Sequence, residues 1–187
     1  MKSMHWGRTT LLVAVVVSSP AYGADATVEA KGIRNFHQVN EHIFRGAQPA
    51  QEGWNSLAKL GVKLVIDLRR EGENGHSIAS EAKAVEAAGM RYINIPMNGI
   101  VSPREADIRK ALDLLDGPDP VFVHCKLGKD RTGTVVACYR IAHDRWDNGK
   151  ALAEAKTVGM HSIEFGMKRY ISSFRGAPVT DAATPVD

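Results

Sequence analysis

Two cysteines in 187 residues are too few for a disulfide-stapled scaffold and too few for a four-cysteine zinc site. The seven histidines are scattered along the chain, so no metal and no cofactor is expected. Charge of one sign is scarce too: 24 Lys and Arg stand against 21 Asp and Glu, a formal net charge of +3. Nucleic-acid binding needs a concentrated basic face, and so mild a balance argues against that partner. Long hydrophobic runs are missing. The apolar stretch Leu11–Val17 is far shorter than the roughly 20 residues of a membrane-spanning helix, so no stable membrane anchor is expected. Repeats and internal low-complexity linkers are absent, which excludes solenoids and arrays.

What remains is 44% hydrophobic and 24% charged, the composition of a soluble globular protein about one domain long. The N-terminus carries Lys2 and Arg8, then Leu11–Val17, then Ser18-Ser19-Pro20-Ala21-Tyr22-Gly23-Ala24. A basic region, a short apolar core and small residues ahead of a cleavage point make a secretory signal. Residues 1–23 are read as a cleaved signal peptide, with cleavage before Ala24, and the mature protein as periplasmic or secreted. Cleavage removes two basic residues and no acidic one, leaving a balance of +1, so local charge must carry any electrostatic argument. Residues 176–187 read as a disordered tail, and 33–175 as the single domain.

Short runs rich in branched residues predict strands at His42–Arg45, Lys63–Leu68, Tyr92–Pro96 and Val121–His124. Helical patterns cover Gln51–Leu60 and Ile78–Ala88, each followed by a glycine stop. A third helix runs over Pro103–Leu115, with Ser102 as N-cap and Glu105 completing a capping box. Three more lie at Thr132–His143, Gly149–Thr157 and Ile163–Phe174. This alternation predicts an α/β fold of three layers: a central, mostly parallel sheet of four to five strands with helices on both faces. Val121–Val123 has the unbroken apolar character of a central strand.

One segment carries chemistry: His124-Cys125-Lys126-Leu127-Gly128-Lys129-Asp130-Arg131-Thr132-Gly133. It leaves a buried strand and opens a helix, where backbone N–H groups converge on an anion. A cysteine there feels the helix dipole and the Arg131 charge, which lowers its pKa and makes a thiolate nucleophile. Arg131 can hold two oxygens of a tetrahedral anion in its planar fork. Gly128 lets the backbone turn so that the amides of 126–131 face one centre. Thr132 can donate to the thiolate. The phosphate-binding set is therefore Lys126, Leu127, Gly128, Lys129, Asp130 and Arg131, with His124 and Thr132 in support.

His-Cys-x5-Arg-Thr-Gly resembles the signature loop of cysteine-based protein tyrosine and dual-specificity phosphatases. Phe44-Arg45-Gly46-Ala47-Gln48-Pro49, Leu60 through Arg69, Ile95-Pro96 and Ala137-Cys138-Tyr139-Arg140 extend the resemblance over residues 33–175. With the leader, the layout is similar to small periplasmic bacterial tyrosine phosphatases. The resemblance implies a dual-specificity-phosphatase-like fold, a phosphocysteine intermediate on Cys125, Arg131 and loop amides on the phosphoryl oxygens, and no metal. The substrate is expected to be a phosphorylated protein or a small phosphorylated molecule. A sulfur- or arsenate-handling cysteine loop and a phosphate-binding pseudophosphatase are the other classes consistent with an anion loop.

Family members carry a general-acid Asp upstream of the cysteine, but Pro96–Pro103 contains no acid. Asp130, directly before Arg131, is the candidate acid; Glu105 and Asp107 are better explained by helix capping. Lys126 and Lys129 resemble the inositol- and lipid-phosphate branch, where extra phosphates need extra cations. His124 is expected to turn away from the loop onto nearby backbone and orient Cys125. Asp67 and Arg69 end a strand on the side where sites gather, lining the pocket or forming a salt bridge. Cys138 lies seven residues beyond Arg131 on the same helix, about 10 Å of rise. That is too far for a disulfide with Cys125 and reads as a small buried apolar side chain.

Overall fold

The computed structural model describes residues 29–176. The expected leader lies outside them, as does all of the expected tail but Gly176. Five strands form one sheet in the order β1-β2-β5-β3-β4. They are β1 His37–Gln38, β2 Ile43–Ala47, β3 Leu64–Asp67, β4 Arg91–Asn94 and β5 Val121–Cys125. All neighbours pair in parallel except β1, which runs antiparallel to β2. The expected mostly parallel sheet is therefore present, and β1 is an addition that two exposed residues gave no periodic sign of.

Six helices cover it: α1 Gln51–Lys59, α2 Ile78–Ala87, α3 Glu105–Leu115, α4 Asp130–Ala142, α5 Asn148–Thr157 and α6 Phe165–Ser173. Side chains alternate across β5, so its two faces build two cores. Phe122 packs with Trp54 and Leu57 of α1 and Val85 of α2. Val121, Val123 and Cys125 pack with Ile108 and Leu112 of α3 and with Val135, Val136 and Cys138 of α4. A third cluster joins Ala137 and Ile141 of α4 to Ala151 and Ala155 of α5 and Ile171 of α6. Helix α4 is thus buried nearly all round, which explains why its sequence shows no polar face.

The capping box at Ser102 does not form. Helix α3 begins at Glu105, its cap position is Arg104, and no side chain caps it. The Ser102 hydroxyl instead donates to the Gly166 carbonyl at 3.0 Å. A tertiary contact has taken the group that the local motif would have used. Glu105 pairs with Arg109 one turn on. Asp107 accepts two hydrogen bonds from Arg104, both at 2.8 Å.

Register sets the site. Ala47 stands opposite Cys125 on one side of β5, and Asp67 stands opposite His124 on the other. The carboxyl ends of β2, β3 and β5 therefore meet where the signature loop begins, the position at which parallel sheets place ligand sites.

Candidate active site

Cys125 closes β5 and the loop 126–129 returns into α4. Two elements hold this loop from outside. Arg45 of β2, 2% exposed, donates to the Gly128 carbonyl at 2.8 Å. Asn35 donates to the carbonyls of Gly128 at 3.1 Å and Leu127 at 3.4 Å. With carbonyls drawn outward, the loop amides are free to point inward. Burial lowers the Arg45 pKa to about 10, partly offset by the Cys125 charge, so Arg45 stays cationic at neutral pH. Gly128 has φ +68, and a Cβ there would lie 2.3 Å from the Gly46 carbonyl carbon. Glycine is required both by conformation and by the close approach of β2.

The Cys125 sulfur sits on the floor of this loop, its residue 3% exposed. Burial pushes its thiol up. The Arg131 charge, the Thr132 hydroxyl and the backbone N–H groups of Thr132 and Leu127 outweigh burial, so the net shift is downward. Thr132 Oγ1 is buried and makes no hydrogen bond to a protein nitrogen or oxygen. Cys138 is free and buried on α4, and burial alone pushes its thiol well up.

Arg131 is held by a residue that sequence reasoning did not find. Glu73, in the single 3₁₀ turn Glu73–Gly75 between β3 and α2, accepts from Nη1 and Nη2 of Arg131, both at 2.7 Å. The carbonyls of Leu68 and Met97 add contacts to Nη1 at 3.2 and 3.4 Å. Glu73 thereby takes the end-on edge of the guanidinium. The side-on edge, Nε with the second Nη2 hydrogen, is left for a tetrahedral anion. Arg131 hydrogen bonds hold the Glu73 carboxyl down at about 2 against the upward push of burial. It is therefore ionised in use and is no proton source. Gly99, in the stretch without an acid, lies beside the Arg131 guanidinium.

Asp130 lies in the first turn of α4, but its carboxylate faces His161 rather than the loop centre. Oδ1 accepts from the His161 N–H and Oδ2 lies against its Nδ1, both at 2.8 Å. Lys126 is exposed at the mouth. It shares with Arg34 and Arg69 an open cavity of about 530 Å³. The Lys129 stem lies along Gly159.

Behind the sheet lies a buried polar cluster. Asp67 is fully buried. Its Oδ2 takes the Tyr92 hydroxyl at 2.6 Å, His76 Nε2 at 2.8 Å and Asn94 Nδ2 at 3.2 Å, and its Oδ1 takes the Arg69 N–H. Asp67, His76 and Glu81 lie close enough to share a cation by donor type. Asp67, however, already accepts from four protein donors, so the trio fits a hydrogen-bond network rather than a metal site. Arg69 donates to Gln48 at 2.7 Å and to the Glu73 carbonyl at 2.5 Å. Asp67 and Arg69 thus take different roles: a buried anchor and a cavity wall. The sequence-based expectation that His124 turns onto nearby backbone is not met: its Nε2 lies 2.9 Å from Glu81 Oε1.

Comparison with known proteins places this arrangement. A family model described as "DSP-PTPase phosphatase fused to NAD+ Kinase" matches residues 20–173. OCA1 of Mycosarcoma maydis, a candidate tyrosine-protein phosphatase, is 37% identical over 146 residues, 75% of this chain and 90% of its own. The inositol diphosphatase DSP4 of Arabidopsis thaliana is 33% identical over 150 residues, 75% of this chain and 71% of its own. Among solved structures, the catalytic domain of the PP-IP phosphatase SIW14 of S. cerevisiae superposes with a TM-score of 0.69 at 22% identity. That likeness covers 79% of this chain and 89% of the other, and it concerns the fold.

Proposed function

The chain belongs to the cysteine-based protein tyrosine and dual-specificity phosphatases, and from that membership we propose that Cys125 is the nucleophile of a phosphomonoesterase acting first on phosphotyrosine. The single observation that carries the assignment is the Cys125 sulfur on the floor of a loop closed by Arg131, its thiol held low by that arginine and by loop amides.

The Cys125 thiolate attacks phosphorus, and the bond from phosphorus to the ester oxygen breaks with its electron pair on the leaving oxygen. The side-on edge of Arg131 and the amides of 126–131 hold the three equatorial oxygens as charge moves. Water then attacks the phosphocysteine, releasing phosphate and restoring the thiolate. Thr132 steadies the sulfur as it leaves.

The acid-free stretch 96–103 and the engagement of Asp130 by His161 support a preference for leaving groups that depart readily as anions. An aryl oxide is one, which favours phosphotyrosine over phosphoserine. A phosphate leaving from a diphosphate is another. Together with Arg34, Arg69 and Lys126 around the adjoining cavity, it supports inositol polyphosphates as the second reading. The basic region, apolar core and small residues of 1–24 support export of the mature chain.

The test uses the full chain with reductant and chelator, as wild type and Cys125→Ser. Substrates are an aryl phosphate, phosphotyrosine and phosphoserine peptides, and an inositol polyphosphate. Turnover of the aryl and phosphotyrosine esters that disappears in Cys125→Ser is expected. No wild-type turnover, or turnover that survives the substitution, overturns the reading.

A further inference from the structure

His124 and Cys125 are consecutive, so they point to opposite faces of β5. The imidazole is completely buried on the α1–α2 side. From α1, Trp54 presents its ring edge, 6.2 Å between centroids. From α2, Glu81 brings Oε1 to 2.9 Å of Nε2. From β3, Asp67 Oδ1 stands 3.9 Å away. His76 reaches the same carboxylates, 3.5 Å from Glu81 and 2.8 Å from Asp67. No cationic Lys or Arg is among these neighbours of the ring.

The two carboxylates are not equally satisfied. Asp67 accepts from four donors, whereas Glu81 Oε1 has no aligned hydrogen bond and Oε2 has Gln48 at 2.6 Å. Both imidazole nitrogens are likewise buried without an aligned partner. A buried carboxylate short of donors is costly unless a positive charge stands beside it. His76 approaches Oε2 at 3.5 Å, whereas His124 stands 2.9 Å from the unpartnered Oε1, and a charge on His124 lies one residue from the nucleophile. Burial disfavours the imidazolium, but Glu81, Asp67 and the Cys125 thiolate outweigh burial and raise its proton affinity. The coupling is reciprocal: a cation favoured by the thiolate favours the thiolate in turn.

Resting on the phosphatase reading above, we propose that Glu81 is a positioning residue for the nucleophile: held by Gln48, its carboxylate keeps His124 as an imidazolium behind Cys125, a second fixed positive charge on the opposite side of the sheet from Arg131. Glu81 touches no substrate and acts through His124. The α2 first turn, where Glu81 sits, also favours a negative charge.

The experiment titrates the thiolate by the pH dependence of iodoacetamide alkylation of Cys125, which needs no substrate. In Glu81→Gln the alkylation profile moves up by about one pH unit: about tenfold slower at pH values below the wild-type midpoint and equal to wild type on the alkaline plateau. His124→Gln gives the same displacement, and the double variant adds nothing further, because both remove one device. A Glu81→Gln profile that superimposes on wild type, whatever happens to turnover, overturns the inference. Should Glu81→Gln fail to fold, imidazole 15N shifts of wild-type His124 decide: an imidazolium at pH 7 upholds it and a neutral ring overturns it. Failure of the phosphatase reading is separate, since it leaves wild type without turnover but does not alter the alkylation profile.

Discussion

The Glu73 carboxylate lies along the end-on edge of the Arg131 guanidinium, both contacts at 2.7 Å, across 58 residues of sequence. The pair fixes which edge of the arginine meets phosphate. It also ties the 3₁₀ turn after β3 to the first turn of α4.

Glu73→Gln removes the charge that orients Arg131 while keeping its shape. A displaced arginine costs orientation at the phosphoryl group, so kcat/KM is expected to fall about tenfold to a hundredfold. The pair also leaves a signature in stability. Glu73 ionises near 2 in the fold against an ordinary value of 4.5, so its contribution is complete above about 4.5 and fades as pH falls toward 2. Melting temperatures of wild type and variant are expected to differ most above pH 5 and to converge near pH 2. A gap that stays constant over that range refutes the ion-pair account.

Two glycine substitutions separate strain from collision. Gly128→Ala places a Cβ 2.3 Å from the β2 backbone and is expected to cost more than about 3 kcal/mol and to abolish turnover. Gly61→Ala, at φ +83 with nothing within 4 Å, is expected to cost about 1 kcal/mol and to leave activity unchanged. Denaturant melts and aryl phosphate assays of both variants check this.

With both Asp130 oxygens engaged by His161, Asp130→Asn is expected to slow aryl and alkyl phosphate hydrolysis by the same factor. The loss then comes from loosening the clasp on His161. A much larger loss on the alkyl ester identifies Asp130 as the acid instead, because the poorer leaving group needs the proton most.

The two thiols should respond oppositely to peroxide. Cys125, held low, is expected to form a sulfenic acid, with peroxide reduced to water, and to lose activity reversibly. Cys138, pushed up by burial, is expected to remain unlabelled by a sulfenic-acid reagent. Mass mapping of the label, with recovery of activity in reductant, is the check.

Much of the fold could be read in advance because it rests on local pattern. The branched runs around Leu64–Asp67 and Val121–Cys125, and the glycines after α1 and α2, mark elements without help from distant residues. Strand β1 could not be read, because two residues have no period and pair only through β2. The start of α3 falls at Glu105 and not at Pro103 because the Ser102 hydroxyl serves Gly166 instead of its own helix. The signature loop was legible as far as its spacing goes. Its supports, Arg45, Asn35 and Glu73, are not, since each reaches the loop only in the folded chain, from β2, from the turn before β1 and from the turn after β3. A buried arginine within an otherwise apolar strand, as at Arg45, is the one signal that pointed toward them.

Helix α4 carries Arg131 at one end and contributes to two of the three apolar clusters along its length. Strand β5, which carries Cys125, is the middle strand of the sheet. The reactive loop therefore joins the two elements with the least route to local opening. Their amides should exchange with solvent only when the whole domain unfolds. Catalytic competence then becomes a reporter of global integrity: heat or denaturant should extinguish turnover and cooperative structure along one and the same curve.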